Sequence, residues 1–346
     1  MRPRDGVPPE LIRFAIQRQE AEIASWETGS TFTAINKRHF KDIRVTLPPQ
    51  DLRDELVNML RRTVMLRRSA ESHLARARAG MARFRQSVLA AACSGRLTAD
   101  RRVSNPAADS IDQALAASRI LRRRRLQSEQ PVDLELPGLP ATYRVHAIDE
   151  ISTVLDYGTS KRAGSSAEEV PVLRMGNIQV GELDLSDLKF IQRDSEIDGL
   201  MLKDGDLLFN RTNSPELVGK SAVFHSDQPV TFASYLIRVR FAPAVAEPDF
   251  VNLWINSAWG KEWARLTKTD CVSQSNINGS KLGLLAVPLP PIAEQREIVK
   301  RVLGLLRTAD EIGRQIDQAV VATKRLETAT TERALRGEPA KSGATS

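Results

Sequence analysis

The sequence predicts an α+β protein in which a mixed β-sheet domain is combined with two long helices that form an antiparallel coiled coil. Three observations predict it: a fifteen-residue segment that occurs twice, an apolar heptad pattern after each copy, and short alternating strands between the two heptad stretches. With 346 residues, 41% of them hydrophobic and 27% charged, the chain is long enough for two globular units.

The repeat relates INKRHFKDIRVTLPP (35–49) to INGSKLGLLAVPLPP (277–291), and six of the fifteen positions are identical. The offset of 242 continues without a gap from Glu55 and Glu297 to Gly95 and Gly337. Solenoid repeats recur at ~20–50 residues, so one recurrence at this distance indicates two large units, each a globular domain followed by a helix. The alternative is a chance similarity between two Pro-Pro turns.

Two helices follow from the heptad pattern. From 50 to 92 the chain has no Pro and no Gly except Gly80, and apolar or small residues step by three and four. Such a helix would be about 65 Å long. Because the same phase returns 242 residues later, we expect the two helices to pair with each other, rather than to lie apart in two bundles. The expected seam positions are Leu60, Thr63, Arg67, Ala70, Leu74, Ala77, Met81, Phe84, Val88, Ala91, Val302, Leu305, Ala309, Ile312, Ile316, Ala319, Thr323 and Leu326.

Between the helices, the segment 140–291 predicts a domain of short strands followed by one or two helices in PDFVNLWINSAWGKEWARL. The stretch before it contains a short helical piece, SIDQALAASRILRRRRL, and a Pro-rich exit, ELPGLPATY. Four arginines, Arg122–Arg125, lie at the end of the helical piece and are expected to be a solvated helix end. The alternative is that they contact phosphate.

The net charge of +7 invites a nucleic-acid interpretation, but it is unevenly distributed. Residues 50–103 carry 12 basic and 5 acidic side chains, whereas 140–291 carry 15 basic and 19 acidic ones. The excess positive charge therefore lies mainly on the first helix. Any DNA-binding hypothesis has to account for a globular unit that is itself acidic.

The sequence contains none of the common catalytic motifs. It has no GxxxxGK[ST] loop, no glycine fingerprint of a nucleotide-binding unit and no NPPY-like tetrapeptide. Asp204 and Asp206 in LKDGDLLF resemble a nuclease pair, but the glycine between them favours a turn. The two cysteines and four histidines show no metal-ligand spacing and are expected to be structural. We therefore expect no catalytic residues, no metal and no cofactor.

Two features that the sequence lacks predict the cellular compartment of the protein. No apolar run reaches the ~18 residues of a membrane span. The start, MRPRDGVPPE, lacks the apolar stretch of a signal peptide. Both features predict a cytoplasmic protein without membrane contact.

The order of motifs resembles the DNA-specificity (S) subunit of type I restriction-modification enzymes. The resemblance rests on VLDYGTSKRAG, VPVLRMGNIQVGELDL, LKDGDLLFNRTNSPELVGKSAVF and SQSNINGSKLGLLAVPLPPIAEQREIV, and on FRQSVLAAACSGRLTADRR at the end of the first helix. It implies two target recognition domains at opposite ends of an antiparallel coiled coil. Each would read half of a split double-stranded DNA site, while methyltransferase subunits dock on the helices and a motor-nuclease subunit joins them.

One departure from that pattern concerns the first copy. PELIRFAI (9–16) aligns with PDFVNLWI (248–255), so residues 1–49 match only the last helix and exit turn of a recognition domain. A truncated reading frame, a fragment, or a subunit completed by a second specificity chain would all look like this. The expected organisation is a domain remnant at 1–49, a helix at 50–103, a linker at 104–139, a complete recognition domain at 140–291, a second helix at 292–336 and a tail at 337–346.

The expected DNA-binding residues follow from the chemistry of base edges and phosphates. Arginine reads guanine and asparagine or glutamine reads adenine, whereas Lys, Arg, Ser and Thr bind phosphates. Glycine-flanked loops rich in these types are the candidates, and for each residue a role as a turn or cap is the alternative. The candidates are Thr159, Ser160, Lys161, Arg162, Arg174, Asn177, Asn210, Arg211, Thr212, Asn213, Ser214, Ser273, Gln274, Ser275 and Asn276. Asn36 and Asn278 occur in both copies and fit a structural turn better.

Two functional hypotheses remain from the sequence. The first is a non-catalytic specificity subunit that delivers a methyltransferase to DNA. The second is a coiled-coil scaffold whose α+β unit binds protein and reads no DNA sequence. A self-contained endonuclease would need a carboxylate–lysine set that the sequence does not supply.

Overall fold

The computed structural model describes residues 7–19, 23, 43–45, 47–104, 111–118, 130–164, 169–270 and 274–338. The chain divides into two compact units, one formed by Met1–Ala82 with Ala309–Ser346 and the other by Arg83–Thr308; we call them the terminal unit and the central unit. Most of the first repeat copy, including Asn36, and the run Arg122–Arg125 lie outside the described residues.

The described helices and strands follow the α+β prediction. In chain order the helices are α1 (Pro9–Arg18), α2 (Arg53–Cys93), α3 (Ala99–Ser104), α4 (Ile111–Ala117), α5 (Ile148–Ile151), α6 (Ser195–Gly199), α7 (Pro248–Asn256), α8 (Ala258–Thr267), α9 (Gly279–Gly283) and α10 (Ile292–Leu335). The strands are β1 (Arg144–Ala147), β2 (Ser152–Tyr157), β3 (Val170–Leu173), β4 (Ile178–Gln179), β5 (Glu182–Leu183), β6 (Lys189–Ile191), β7 (Asp206–Asn210), β8 (Thr212–Asn213), β9 (Ser221–Phe224), β10 (Thr231–Phe232), β11 (Leu236–Phe241), β12 (Thr269–Asp270), β13 (Ser275–Asn276) and β14 (Ala286–Leu289). No helix among the described residues is both long and apolar enough to cross a membrane.

The two long helices, α2 and α10, run antiparallel where they meet. In the terminal unit Arg67 pairs with Glu327 at 3.0 Å, and Arg78 pairs with Asp317. As the residue number rises along α2, the number of the contacting residue on α10 falls, so the two helices run antiparallel. In the central unit Ala92 and Val302 share one hydrophobic core. The predicted pairing of the two helices is confirmed.

The seam is narrower than the heptad pattern predicts. Val88, Val302, Ala309 and Ile316 are buried, as expected of seam positions. Other predicted positions are exposed, and Leu326 keeps 67% of its surface in solvent. Glu327, the residue after Leu326, forms an ion pair with Arg67 of α2. The two helices are therefore joined by a charged pair at this point, in place of apolar packing. Exposed predicted seam positions are Ala77, Phe84, Ile312 and Leu326.

The repeat builds the same helix entry twice, once in each unit. Arg53 donates from Nε to the carbonyl of Pro48 at 3.1 Å, and Gln295 donates from Nε2 to the carbonyl of Pro290 at 2.8 Å. Both donors lie five residues after the first proline of the Pro-Pro turn. The side chain therefore fixes the angle at which each turn enters its helix.

The hydrophobic clusters beside these entries also match. In the terminal unit Leu11 and Phe14 of α1 share a core with Leu56, Leu60 and Ala334. The equivalent residues of the central unit share a core as well, namely Phe250, Ile298, Val302 and Ala92, with Leu253 packed against them. Residues that the pairing of PELIRFAI with PDFVNLWI places at corresponding positions thus lie in a hydrophobic cluster in each unit.

The main sheet of the central unit has the strand order β2-β11-β7-β9 and is antiparallel throughout. Its buried side chains, such as Phe209 and Val239, pack with Phe250, Trp254 and Trp263 of α7 and α8. A smaller sheet, β10-β3-β6, contains a parallel pair, so the architecture is mixed as predicted. Strand β1 pairs antiparallel with β14 and joins the start of the domain to its exit.

The Asp204–Asp206 pair forms a turn. Gly205 has φ +83°, a conformation that glycine adopts without strain. Asp206 is buried and pairs with Arg240 at 2.6 Å, whereas Asp204 lies 3.1 Å from Nδ1 of His225. The described residues hold no group of three His, Cys, Asp or Glu side chains that could bind a metal ion.

A buried carboxylate joins the end of α2 to the start of α10. Glu294 is 5% exposed and accepts a hydrogen bond from the Thr98 hydroxyl at 2.6 Å. It also pairs with Arg102, which donates to the carbonyl of Gly95. Gly95 ends α2 with φ +74°, and a Cβ there would lie 2.7 Å from the Tyr143 hydroxyl. One carboxylate thus connects the helix end, the following turn and the second helix.

This carboxylate generates the first prediction. Replacing Glu294 with alanine leaves Arg102 and Thr98 without their partner in a buried site, so we expect the free energy of unfolding to fall by about 3 kcal/mol. Urea unfolding followed by tryptophan fluorescence measures it, because Trp254 and Trp263 lie in the same unit. The matched control is Glu311→Ala, which removes an exposed pair with Arg314 and should leave the free energy of unfolding almost unchanged. Equal effects of the two substitutions would contradict the role of Glu294.

Candidate nucleic-acid interface

Three loops of the central unit meet at one end of the main sheet because its strands are antiparallel. Strand β11 pairs with β2 through Ile237 and Tyr157, and with β7 through Leu236 and Asn210. The ends of β2 and β7 therefore lie beside the start of β11. The loops that begin or end there are 158–164, 211–214 and 233–235, which carry many of the predicted DNA-binding residues.

A fourth loop joins this end through a small sheet, β12-β13-β8. Ser275 pairs with Asn213, and Asn276 pairs with Thr212. These pairings place the 274–279 segment beside the loop after β7. We call the four loops together the end-loop cluster.

Arg211 lies at the centre of the end-loop cluster. Its guanidinium carbon is 4.9 Å from the centre of the Tyr157 ring. Nη1 donates to the carbonyl of Ser234 and Nη2 to Oδ1 of Asn276, both at 3.3 Å. Nε is buried and has no hydrogen-bond partner among the described residues. The side chain is thus held by contacts from three separate loops.

The groups that hold Arg211 are themselves fixed. The backbone N–H of Gly279 donates to the Tyr157 hydroxyl at 2.7 Å, which sets the position of the ring. Asn276 donates from Nδ2 to the Thr212 hydroxyl at 2.8 Å. The guanidinium therefore rests on side chains that are themselves held by hydrogen bonds.

A second cluster of charge surrounds Lys161. Its ammonium lies 2.8 Å from Glu196 and also pairs with Asp194. Glu196 accepts a hydrogen bond from the buried Thr159 hydroxyl at 2.8 Å. Hydrogen bonds from Lys161 hold the pKa of both carboxyl groups below their usual values, and the same bonds raise the pKa of Lys161. The lysine keeps its charge, but two carboxylates outweigh that charge locally.

Arg174 and Asn177 follow β3, and their side chains bond to other residues of the same chain. Arg174 pairs with Asp187 at 3.0 Å. Asn177 is buried; its Oδ1 accepts from the backbone N–H of Arg174, and its Nδ2 donates to the carbonyls of Asp184 and Asp187. Both amide hydrogens of Asn177 are engaged, so the geometry favours a turn role for it over DNA contact.

The other predicted residues divide by exposure. Ser160, Arg162 and Gln274 are exposed, and Asn213 and Ser214 are half-buried. Ser275 is buried and donates to Asp270. Asn210 is buried, and neither of its side-chain polar atoms has a partner among the described residues. Ser273 lies outside the described residues.

The sequence-based selection missed several members of the end-loop cluster. Tyr157 supports Arg211, and Tyr235 is 45% exposed immediately before β11. Ser234 contributes only a backbone carbonyl, for which side-chain chemistry gives no signal. The two tyrosines could have been found as aromatic residues at strand ends, beside loops rich in Asn, Ser and Arg. Asn278, considered a turn residue, accepts from the backbone N–H of Lys281 and caps α9.

The chain is similar to known specificity subunits. It is 27% identical over 325 residues to the specificity subunit of the type I restriction enzyme EcoKI of Escherichia coli K12, covering 92% of this chain and 62% of that protein. It is 25% identical over 345 residues to the StySPI specificity subunit of Salmonella potsdam, covering 98% of this chain and 67% of that protein. The resemblance to type I specificity subunits is confirmed.

A solved structure from work on complex assembly and conformational transition of the type I R-M system has the same fold. It superposes with a TM-score of 0.60 and 17% identity, and covers 96% of this chain and 72% of that one. No protein-family model matches the chain. The chain spans 62% of the EcoKI specificity subunit. The prediction of a non-catalytic chain agrees with the name of specificity subunit that these relatives carry.

Proposed function

We propose that this protein is the sequence-specific DNA-recognition subunit of a type I restriction-modification complex, and that its central unit reads a DNA half-site with the end-loop cluster. The observation that carries the proposal is the convergence of four loops, from separate parts of the chain, around one fixed arginine. The similarity to named specificity subunits supports the same role.

The cluster has the chemistry that base reading needs. Arginine, asparagine and glutamine side chains can form paired hydrogen bonds with base edges in the major groove. Arg211, Asn213 and Gln274 lie in adjoining loops, and the exposed Ser160 and Arg162 suit phosphate contacts. The cluster therefore offers base-reading and phosphate-binding groups side by side.

The acidic balance of the domain is consistent with this role. Lys161 and Arg174 both pair with carboxylates, so they attract phosphate less than free cations would. Attraction to any DNA is then weak in this domain, while hydrogen bonding to bases is unaffected. We propose that this pairing favours correct over incorrect sequences, because non-specific binding comes mainly from charge.

Selection from random DNA tests the proposal. The full chain is incubated with a pool of random duplexes, and bound duplexes are recovered, amplified and sequenced. We expect enrichment of one short motif whose binding survives moderate salt. Binding that is steeply salt-dependent and enriches no motif would contradict DNA recognition and favour the scaffold function.

A substitution of charges tests the role of the carboxylates. In the variant Asp194→Asn with Glu196→Gln, Lys161 is released and two negative charges are lost, while the introduced asparagine side chain can still cap α6 as that of Asp194 does. We expect affinity for random duplexes to rise about fivefold, with a steeper dependence on salt. Asp227→Asn, an exposed carboxylate elsewhere in the domain, is the control. Should both variants behave alike in a filter-binding assay, the local pairing would have no role in DNA affinity.

We also propose that methyltransferase subunits bind the long helices. Large apolar side chains on both helices are exposed in the terminal unit: Met65 by 73%, Leu66 by 62% and Leu326 by 67%. Exposed apolar groups on a helix are typical of protein-binding surfaces. The charged helix surface around them would limit aggregation of the free chain.

Co-purification tests this docking. The chain is co-expressed with a methyltransferase encoded beside its own gene. We expect Leu66→Lys with Leu326→Lys to abolish co-purification and to leave the selected DNA motif unchanged. Leu185→Lys, an exposed apolar residue of the recognition domain, is the control. Retention of the methyltransferase by the double variant would exclude this surface as the docking site.

A further inference from the structure

We infer that Arg211 reads a guanine in the half-site, and that Tyr157 and Asn276 are positioning residues that orient its guanidinium for this contact. The inference rests on the proposed function and specifies which base the end-loop cluster recognises. It concerns the identity of one base pair and the residues that make its recognition specific.

The hydrogen-bonding capacity of Arg211 fits a guanine. A guanidinium has five N–H donors. One from Nη1 and one from Nη2 are used, each in a long bond of 3.3 Å. One hydrogen on each terminal nitrogen remains for a ligand. Guanine presents two acceptors, O6 and N7, on its major-groove edge, and a paired contact from arginine is their common partner.

The framework around Arg211 fixes the plane of the guanidinium. The Tyr157 ring lies 4.9 Å beneath it, and the ring is held by the bond from Gly279 at 2.7 Å. Asn276 binds Nη2 and is held in turn by Thr212 at 2.8 Å. A planar donor pair that is oriented in advance loses little rotational freedom on binding a planar base edge.

The backbone of Arg211 is also fixed, and this favours a base over a phosphate. Its N–H donates to the carbonyl of Tyr235 at 3.0 Å, and its carbonyl accepts from Ile277 at 2.9 Å. Phosphates are also bound by Lys, Ser, Thr and backbone N–H groups, and the exposed Arg162 in the neighbouring loop is suited to such a contact. A half-buried arginine, clamped at backbone and side chain, is adapted instead to one acceptor geometry.

Base analogues test the inference. In the duplex motif selected by the full chain, each guanine is replaced singly by 7-deazaguanine, which lacks the N7 acceptor and keeps its base pairing. We expect one position at which the replacement lowers wild-type affinity about tenfold. The variant Arg211→Ala should lose affinity for the natural motif and show no further loss with the analogue at that position.

Two tyrosine variants test the positioning role. Tyr157→Leu removes the ring beneath the guanidinium, and we expect discrimination against 7-deazaguanine to fall at least threefold. Tyr157→Phe keeps the ring but loses the bond from Gly279 that holds it, so we expect a smaller loss of discrimination than in Tyr157→Leu. Thermal melting of both variants, compared with the wild type, shows that each is folded at the assay temperature.

Two results would overturn the inference while leaving the proposed function standing. One is a selected motif in which no guanine is sensitive to the analogue in an Arg211-dependent way. The other is an equal loss of affinity for selected and random duplexes in Arg211→Ala, which would make the residue a phosphate contact. Failure to select any motif would instead contradict the proposed function itself.

Discussion

The pairing of β11 with β2 and with β7 is the constraint on which the central unit depends. It brings the ends of β2 and β7 to the start of β11, and so gathers loops that are far apart in sequence. A shift of one residue would turn every side chain of a strand to the opposite face. Two ion pairs oppose such a shift: Arg238 with Asp156 at 2.6 Å, and Arg240 with the buried Asp206 at 2.6 Å. The charged residues of β11 therefore stabilise one strand register. That register determines which loops lie together in the end-loop cluster.

The start of each long helix depends on a different interaction, a side-chain hydrogen bond to the Pro-Pro turn, which occurs twice in the chain. At each Pro-Pro turn a side chain five residues on binds the carbonyl of the first proline, and a cluster of apolar residues buries the first turns of the helix. The two copies differ in detail. Gln295 also donates to the carbonyl of Val245 and accepts from the N–H of Glu247, whereas Arg53 is a charged residue in the same place. Through these bonds Gln295 connects the second entry to the segment before α7.

Much of the fold could be predicted from the sequence because it rests on local patterns. The repeat, the heptads and the strand alternation are visible in the chain, and the structure has the corresponding elements. The site was harder, because Arg211 depends on Tyr157, Ser234 and Asn276, whose proximity is a product of strand register. Likewise, nothing in the sequence shows that Lys161 would meet Glu196 or that Asn177 would be buried. Residue types predicted the loops, whereas tertiary contacts decided which side chains remain available in them.

The pairing of β1 with β14 has a consequence for how such a domain can change. Arg144, at the start of the domain, lies opposite Leu289, at its exit, so the chain enters and leaves through two neighbouring strands. Insertions, deletions or whole replacements between those strands need not alter the distance between entry and exit. The sequence between β1 and β14 can therefore diverge in evolution while the two covalent connections to the helices keep the same geometry.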